Sequence, residues 1–254
     1  MSYRHNFLRE TENRIVHPDN SGKYNVIEYI RDLSVDPTTA QMVYYANEMN
    51  IRKRQLQVNL HGDDVIIQAG AMQWVLGSVE ARTNIKGAGD FLGKMVSSKV
   101  TGETAVKPRY SGEGVVVLEP TYKHLITQDL EKWNGSMVIE DGLFLACDGT
   151  VKIKTVMRSN LSSAALGGEG LFNSCLTGEG RVVLESPVPA EELIVIDLLN
   201  DVLKIDGSMA IAWSNSLQFT VERTTKSLIG SAASGEGLVN VYRGTGRVLL
   251  APVL

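Results

Sequence analysis

Gly112-Glu113-Gly114-Val115-Val116-Val117-Leu118-Glu119-Pro120 decides the reading of this chain, because it occurs three times. It returns as Gly178-Glu179-Gly180-Arg181-Val182-Val183-Leu184-Glu185 and again as Gly244-Thr245-Gly246-Arg247-Val248-Leu249-Leu250-Ala251. Successive copies start 66 residues apart. A fixed period of that size marks a tandem structural unit. A glycine-acid pair precedes each strand, at Gly102-Glu103, Gly168-Glu169 and Gly235-Glu236. Further upstream each copy carries a short apolar run ending in glycine: Val65 to Gly70, Met137 to Gly142 and Val202 to Gly207. The Asp-Gly pairs at 141–142 and 206–207 predict hairpin turns with positive φ at both turn positions.

Working outward, the local patterns are those of strands. Leu56, Val58 and Leu60 alternate with Gln55, Gln57 and Asn59. The same period of two runs through Val151–Thr155 and Leu217–Glu222. His61-Gly62-Asp63-Asp64 reads as a turn, and Glu191 to Leu203 as two strands despite its leucines. Short strands punctuated by Gly, Asp and Asn predict an all-β sandwich or barrel-like fold. Asp36-Pro37 is a helix start, with Thr38 to Glu48 a short helix presenting Met42, Tyr45 and Met49 on one face. The period divides the chain into an N-terminal arm and helix (1–53) and three units (54–120, 121–187, 188–254) forming one pseudo-threefold body. Units of about 66 residues are near the lower limit for independent folding and are expected to pack on one another.

Composition narrows the function without naming it. A formal charge of −4 argues against a nucleic-acid or anionic-membrane face. Two cysteines, Cys147 and Cys175, make no disulfide framework and fit a reducing cytoplasm. The start has no apolar signal region and no apolar run is long enough to span a bilayer.

The candidate chemical motifs fail their own requirements. Gly230 and Gly235 are spaced like a phosphate loop, but Glu236-Gly237 stands where Lys-Ser/Thr is needed. His5, His17, His61 and His124 have no metal spacing, and no nucleophile elbow occurs. Asp63/Asp64 and Arg52-Lys53-Arg54 read as solvated charges. The repeated Glu103, Glu169 and Glu236 are the candidate ligand-binding residues, as a carboxylate ring holding a cation; as structural residues they would instead accept turn N–H groups. Gly112, Gly114, Gly178, Gly180, Gly244 and Gly246 are the candidate structural turns. No catalytic residue, metal site or cofactor is expected.

The ordered set Gln68-Ala69-Gly70-Ala71-Met72, Gly142-Leu143-Phe144-Leu145-Ala146, Gly168-Glu169-Gly170-Leu171-Phe172 and Gly235-Glu236-Gly237-Leu238-Val239 resembles the altered-inheritance-of-mitochondria protein family, over about Gln55 to Pro252. That resemblance implies three fused units similar to the trp RNA-binding attenuation protein subunit, each a short double-stranded β-helix, assembled as trimeric rings. It implies soluble, uncharacterised bacterial and archaeal relatives and mitochondrial relatives tied to inner-membrane organisation, with no established catalytic residues to carry over. The absence of a targeting segment departs from the mitochondrial pattern. The expectation is a non-enzymatic, cytoplasmic, ring-forming scaffold with a possible protein partner. A small-molecule or ion-binding module is the alternative. RNA binding follows only from fold analogy, and the net acidity opposes it.

Overall fold

Each Gly-x-Gly stretch lies in or beside a strand that other strands flank on both sides. The computed structural model describes residues 3–83, 107–157, 172–223 and 238–252, and it is all-β with one short helix. The strands are β1 (Arg14–Pro18), β2 (Tyr24–Tyr29), β3 (Lys53–Ile67), β4 (Met72–Arg82), β5 (Arg109–Leu118), β6 (His124–Asp129), β7 (Ser136–Ile139) and β8 (Phe144–Asp148). They continue with β9 (Lys152–Met157), β10 (Phe172–Thr177), β11 (Arg181–Ser186), β12 (Ile194–Asp206), β13 (Ala210–Ser214), β14 (Gln218–Arg223) and β15 (Leu238–Leu250). Helix α1 spans Ala40–Glu48.

Two antiparallel sheets result. The first runs β1-β2-β3-β8-β11-β6, with β5 pairing both β3 and β4. The second runs β12-β15-β13-β7-β10-β9, with β14 on β15. In the glycine-bearing region the pairing recurs: β5 lies between β3 and β4, β11 between β6 and β8, and β15 between β12 and β13. Gly112, Gly178 and Gly244 take φ of 127°, 117° and 120°, a region that side chains disfavour, and the flanking partners change at Gly178 and Gly244, while β5 keeps β3 and β4 on both sides of Gly112. Gly112 and Gly114 lie inside β5, Gly244 and Gly246 inside β15, and Gly178 and Gly180 in the link between β10 and β11.

Two joints tie the strands across the 66-residue steps. At the first, Val65, Ile66 and Ile67 of β3 pair with Asp148, Cys147 and Ala146 of β8. At the second, Met137, Val138 and Ile139 of β7 pair with Ser214, Trp213 and Ala212 of β13. The flanking hydrogen bonds correspond as well. Gln68 N donates to Leu145 O and Gly149 N to Asp64 O at the first joint, as Glu140 N to Ile211 O and Asn215 N to Ser136 O do at the second.

The apolar side chains of these strands form three clusters. One is built on Trp133, Met137, Ile139 and Leu176, one on Tyr24, Leu56, Leu60 and Val116, and one on Trp213, Tyr242 and Val248. Cys147 and Cys175 are free thiols buried in this interior, and burial pushes Cys147 up to about 12.

Local departures from the sequence reading have physical causes. His61-Gly62-Asp63-Asp64 is a bulge inside one continuous β3, because β5 pairs on both sides of it. At the Asp-Gly pairs only the glycines have positive φ, 75° at Gly142 and 71° at Gly207. Glu191 to Leu203 forms a short 3-10 turn and then the single bent strand β12, kinked between Leu198 and Asp201. Asp36 accepts the Thr38 and Thr39 N–H groups, so it caps a turn and the helix starts later, at Ala40. Val43 is the buried residue of α1, and Met42, Tyr45 and Met49 are exposed.

Candidate functional site

Glu103, Glu169 and Glu236 lie outside the described residues, so the carboxylate ring has no geometry here. One set of charged groups that the fold brings together from distant strands lies at the first joint. The bulge in β3 turns Asp63 and Asp64 to one side of the sheet. β8 ends there at Asp148, β5 begins at Arg109, and β11 begins at Arg181. The turn before β2 brings Lys23 onto the same spot. Together they line an open cavity of about 720 Å³, with His61 on its wall.

Lys23 is the hub. Its Nζ lies 2.8 Å from Asp148 Oδ1, pairs closely with Asp63, and donates to Asp64 O at 3.0 Å. All three ammonium hydrogens are therefore directed at oxygen. Burial works against the charged ammonium, but the hydrogen bonds of Asp148 and Asp63 outweigh it and hold the Lys23 pKa above its ordinary value. Burial likewise opposes ionisation of Asp63, and the bond from Lys23 prevails, so its carboxyl sits below the usual range. Asp148 has two further donors: Tyr24 Oη on Oδ1 at 2.8 Å and the Arg181 backbone N–H on Oδ2 at 2.8 Å. Burial first, and then the Asp148 charge, push the Tyr24 phenol far up. Arg109 bonds Asp64 Oδ2 at 2.7 Å and Gly149 O at 3.0 Å, and Arg181 pairs with Asp19 at 3.3 Å.

The second joint has the same backbone plan without this charge. Ser214 stands 66 residues after Asp148, and its hydroxyl accepts the Arg247 N–H at 2.9 Å, just as Asp148 accepts that of Arg181. Arg247 pairs with Asp197 there. The charged cavity is thus a feature of one joint, while the scaffold under it is shared.

Asp63 and Asp64, expected as solvated acids, are ion-paired members of this site. The Arg52-Lys53-Arg54 cluster is also paired rather than free. Arg52 and Arg54 grip Glu28, and Lys53 grips Asp32. Burial opposes the Glu28 charge, but Arg52 and Arg54 overcome it and lower its pKa. Sequence reasoning missed Lys23, Arg109, Asp148 and Arg181, which meet only through pairing between distant strands. One signal was available: Arg181 and Arg247 follow the same Gly-x-Gly in two copies, but only the first has an aspartate, Asp148, at the matching place. Among the described residues no group of three or more His, Cys, Asp or Glu is placed to hold a metal, and no helix is long and apolar enough to cross a membrane.

Such a chain is an all-β protein of two antiparallel sheets, each containing one of two like strand joints, with a charged cleft at the first. It belongs to the family described as Mitochondrial biogenesis AIM24, whose model matches residues 48–253. It is 30% identical over 197 residues to an uncharacterized protein of Streptococcus pyogenes serotype M6, covering 75% of this chain and 77% of that one. A crystal structure of a Streptococcus pyogenes protein shares the fold with a TM-score of 0.57 and 26% identity, covering 80% of this chain and 89% of the other. The specific function of the family is not established by these relatives.

Proposed function

We propose that the chain is a non-enzymatic assembly protein, built from three tandem β units of about 66 residues joined end to end, and that it acts as a ring-forming scaffold in a reducing, cytoplasmic setting. One observation carries this reading. The same antiparallel joint is made twice inside the chain, between β3 and β8 and between β7 and β13, and the strands at the two ends of this series, β4 and β12, each have one described partner only. A row of units connected by like joints is an open series, and an open series extends through other copies until it closes. Both thiols are free and buried, which suits a reducing compartment. Native mass spectrometry tests the reading: a single closed oligomer, with a trimer expected, supports it, and a monomer at all concentrations rules it out.

The cleft at the first joint supports a second reading, a binding module for a small polar ligand between units. It is favoured by the charge that Lys23, Arg109 and Asp148 add to one joint and not to its counterpart. A thermal-shift screen of polar metabolites and divalent cations, repeated with Arg109→Gln, decides it. A shift that Arg109→Gln abolishes supports binding at the cleft, and no shift with any compound removes it.

A further inference from the structure

The pleat of β2 and β3 sorts the basic residues of the early chain onto opposite faces of the first sheet. On one face Glu28 lies opposite Arg54, and Arg52 reaches the same carboxylate. The adjacent row points the other way. Arg14 lies opposite Tyr29, and Tyr29 opposite Lys53, so three side chains stand abreast on one face across β1, β2 and β3. With Arg31, Asp32 and Gln55 they line a cavity of about 340 Å³, within the size range of small-ligand sites. The charged part of its lining is Arg14, Arg31 and Lys53 against Asp32 alone, a local positive surplus in a chain whose formal charge is −4. Asp32 pairs with Lys53 at 2.5 Å. Among the described residues neither Arg14 nor Arg31 has a carboxylate partner.

The site is built, not merely charged. Arg14 donates from Nε to Arg9 O at 2.9 Å and from Nη2 to Asn6 O at 3.0 Å, which fixes the guanidinium while neutral carbonyls leave its charge in place. The floor is satisfied within itself. Tyr29 Oη donates to Gln55 Oε1 at 2.6 Å, and the buried Gln55 donates to Gln73 Oε1 at 2.8 Å and to Leu118 O at 3.0 Å. What the cavity lacks is negative charge. We propose that it binds a phosphate dianion, carried by a small soluble ligand or by a lipid head group, with Arg14 and Arg31 taking its oxygens and Lys53 facing it from beyond Tyr29. A phosphate group carries about −1.5 to −2 at neutral pH, which matches the surplus. Guanidinium forks fit its oxygens in pairs. Two strand spacings, about 10 Å, separate the backbones of Arg14 and Lys53, a gap that side chains of this length can bridge onto one oxyanion. The cavity is separate from the cleft at the first joint, and the proposal is independent of the scaffold reading. Eight of its eleven lining residues precede residue 48, outside the segment that the family model matches.

Isothermal titration calorimetry of the full chain with inorganic phosphate, near neutral pH and at constant ionic strength, tests the site. Arg31→Gln is the decisive variant, because Arg31 is exposed and holds no other group of the described chain, so its replacement spares the fold. The wild type should bind one phosphate per chain, and Arg31→Gln should bind it about tenfold more weakly, the scale of one charge-assisted hydrogen bond. Arg109→Gln removes the same charge from the other cleft and should leave phosphate binding unchanged. Sedimentation with phosphatidylcholine vesicles, with and without phosphatidic acid, separates the two sources. Co-sedimentation that needs both phosphatidic acid and Arg31 assigns the phosphate to a lipid head group. Phosphate binding in solution without co-sedimentation assigns it to a soluble ligand. Absence of binding in both assays overturns the proposal, as does binding that Arg31→Gln leaves intact or that Arg109→Gln weakens equally.

Discussion

Asp148 and Lys23 meet at 2.8 Å across 125 positions of sequence, and the pair fastens the N-terminal hairpin to the joint between β3 and β8. Their side chains are 16% and 14% exposed, so this ion pair is largely withdrawn from water. Asp148 also receives Tyr24 Oη and the Arg181 N–H. Its replacement leaves three donors without their acceptor, one of them charged. Asp148→Ala should destabilise the chain by about 3 kcal/mol, within the range for breaking a buried pair from one side. Urea denaturation checks this, and a loss of about 0.5 kcal/mol or less, as for a surface pair, would refute it.

This network and the Glu28–Arg52–Arg54 cluster set the pH limits of stability. Asp63 and Glu28 have folded pKa values below their unfolded values of 3.8 and 4.5. Their contribution is present above those unfolded values and is lost as pH falls through the folded ones. Lys23 has a folded pKa above its unfolded 10.5, so its contribution is complete below 10.5 and is lost as pH rises through the folded value. Stability measured by urea unfolding should therefore be flat near neutrality, fall below about pH 4 and fall again above about pH 10. Asp63→Asn should lower the plateau and flatten the acid limb, and Lys23→Met should flatten the alkaline limb. An acid limb unchanged by both Asp63→Asn and Glu28→Gln would show that other carboxylates control it.

The three bend glycines should not be equally intolerant. All have φ near 120°, so alanine is strained at each, costing on the order of 1–3 kcal/mol. Their surroundings differ. A Cβ on Gly112 would lie 2.1 Å from Ser78 O, one on Gly178 would lie 3.2 Å from Thr150 O, and one on Gly244 would find its nearest neighbour at 3.8 Å. Gly112→Ala must push β4 off β5, whereas Gly244→Ala meets only the backbone strain. Thermal unfolding should rank the losses Gly112→Ala, then Gly178→Ala, then Gly244→Ala. Equal losses would mean that strain alone decides.

What could be read from the sequence follows from how local each determinant is. The strands at Gly112, Gly178 and Gly244 were legible because the bend needs glycine, and glycine is conspicuous. The alternation in Gln55–Leu60 made the strand legible but not its burial, because Gln55 and Gln57 are buried as well as Leu56, Val58 and Leu60. The His61–Asp64 bulge was not, since the difference between a turn and a bulge lies in whether β5 pairs on both sides of it. The Lys23, Asp63 and Asp148 cluster was hidden for the same reason: nothing near Lys23 in sequence records the strand pairing that delivers Asp148. The paired state of Arg54 was equally invisible, because Glu28 reaches it only through the β2–β3 ladder.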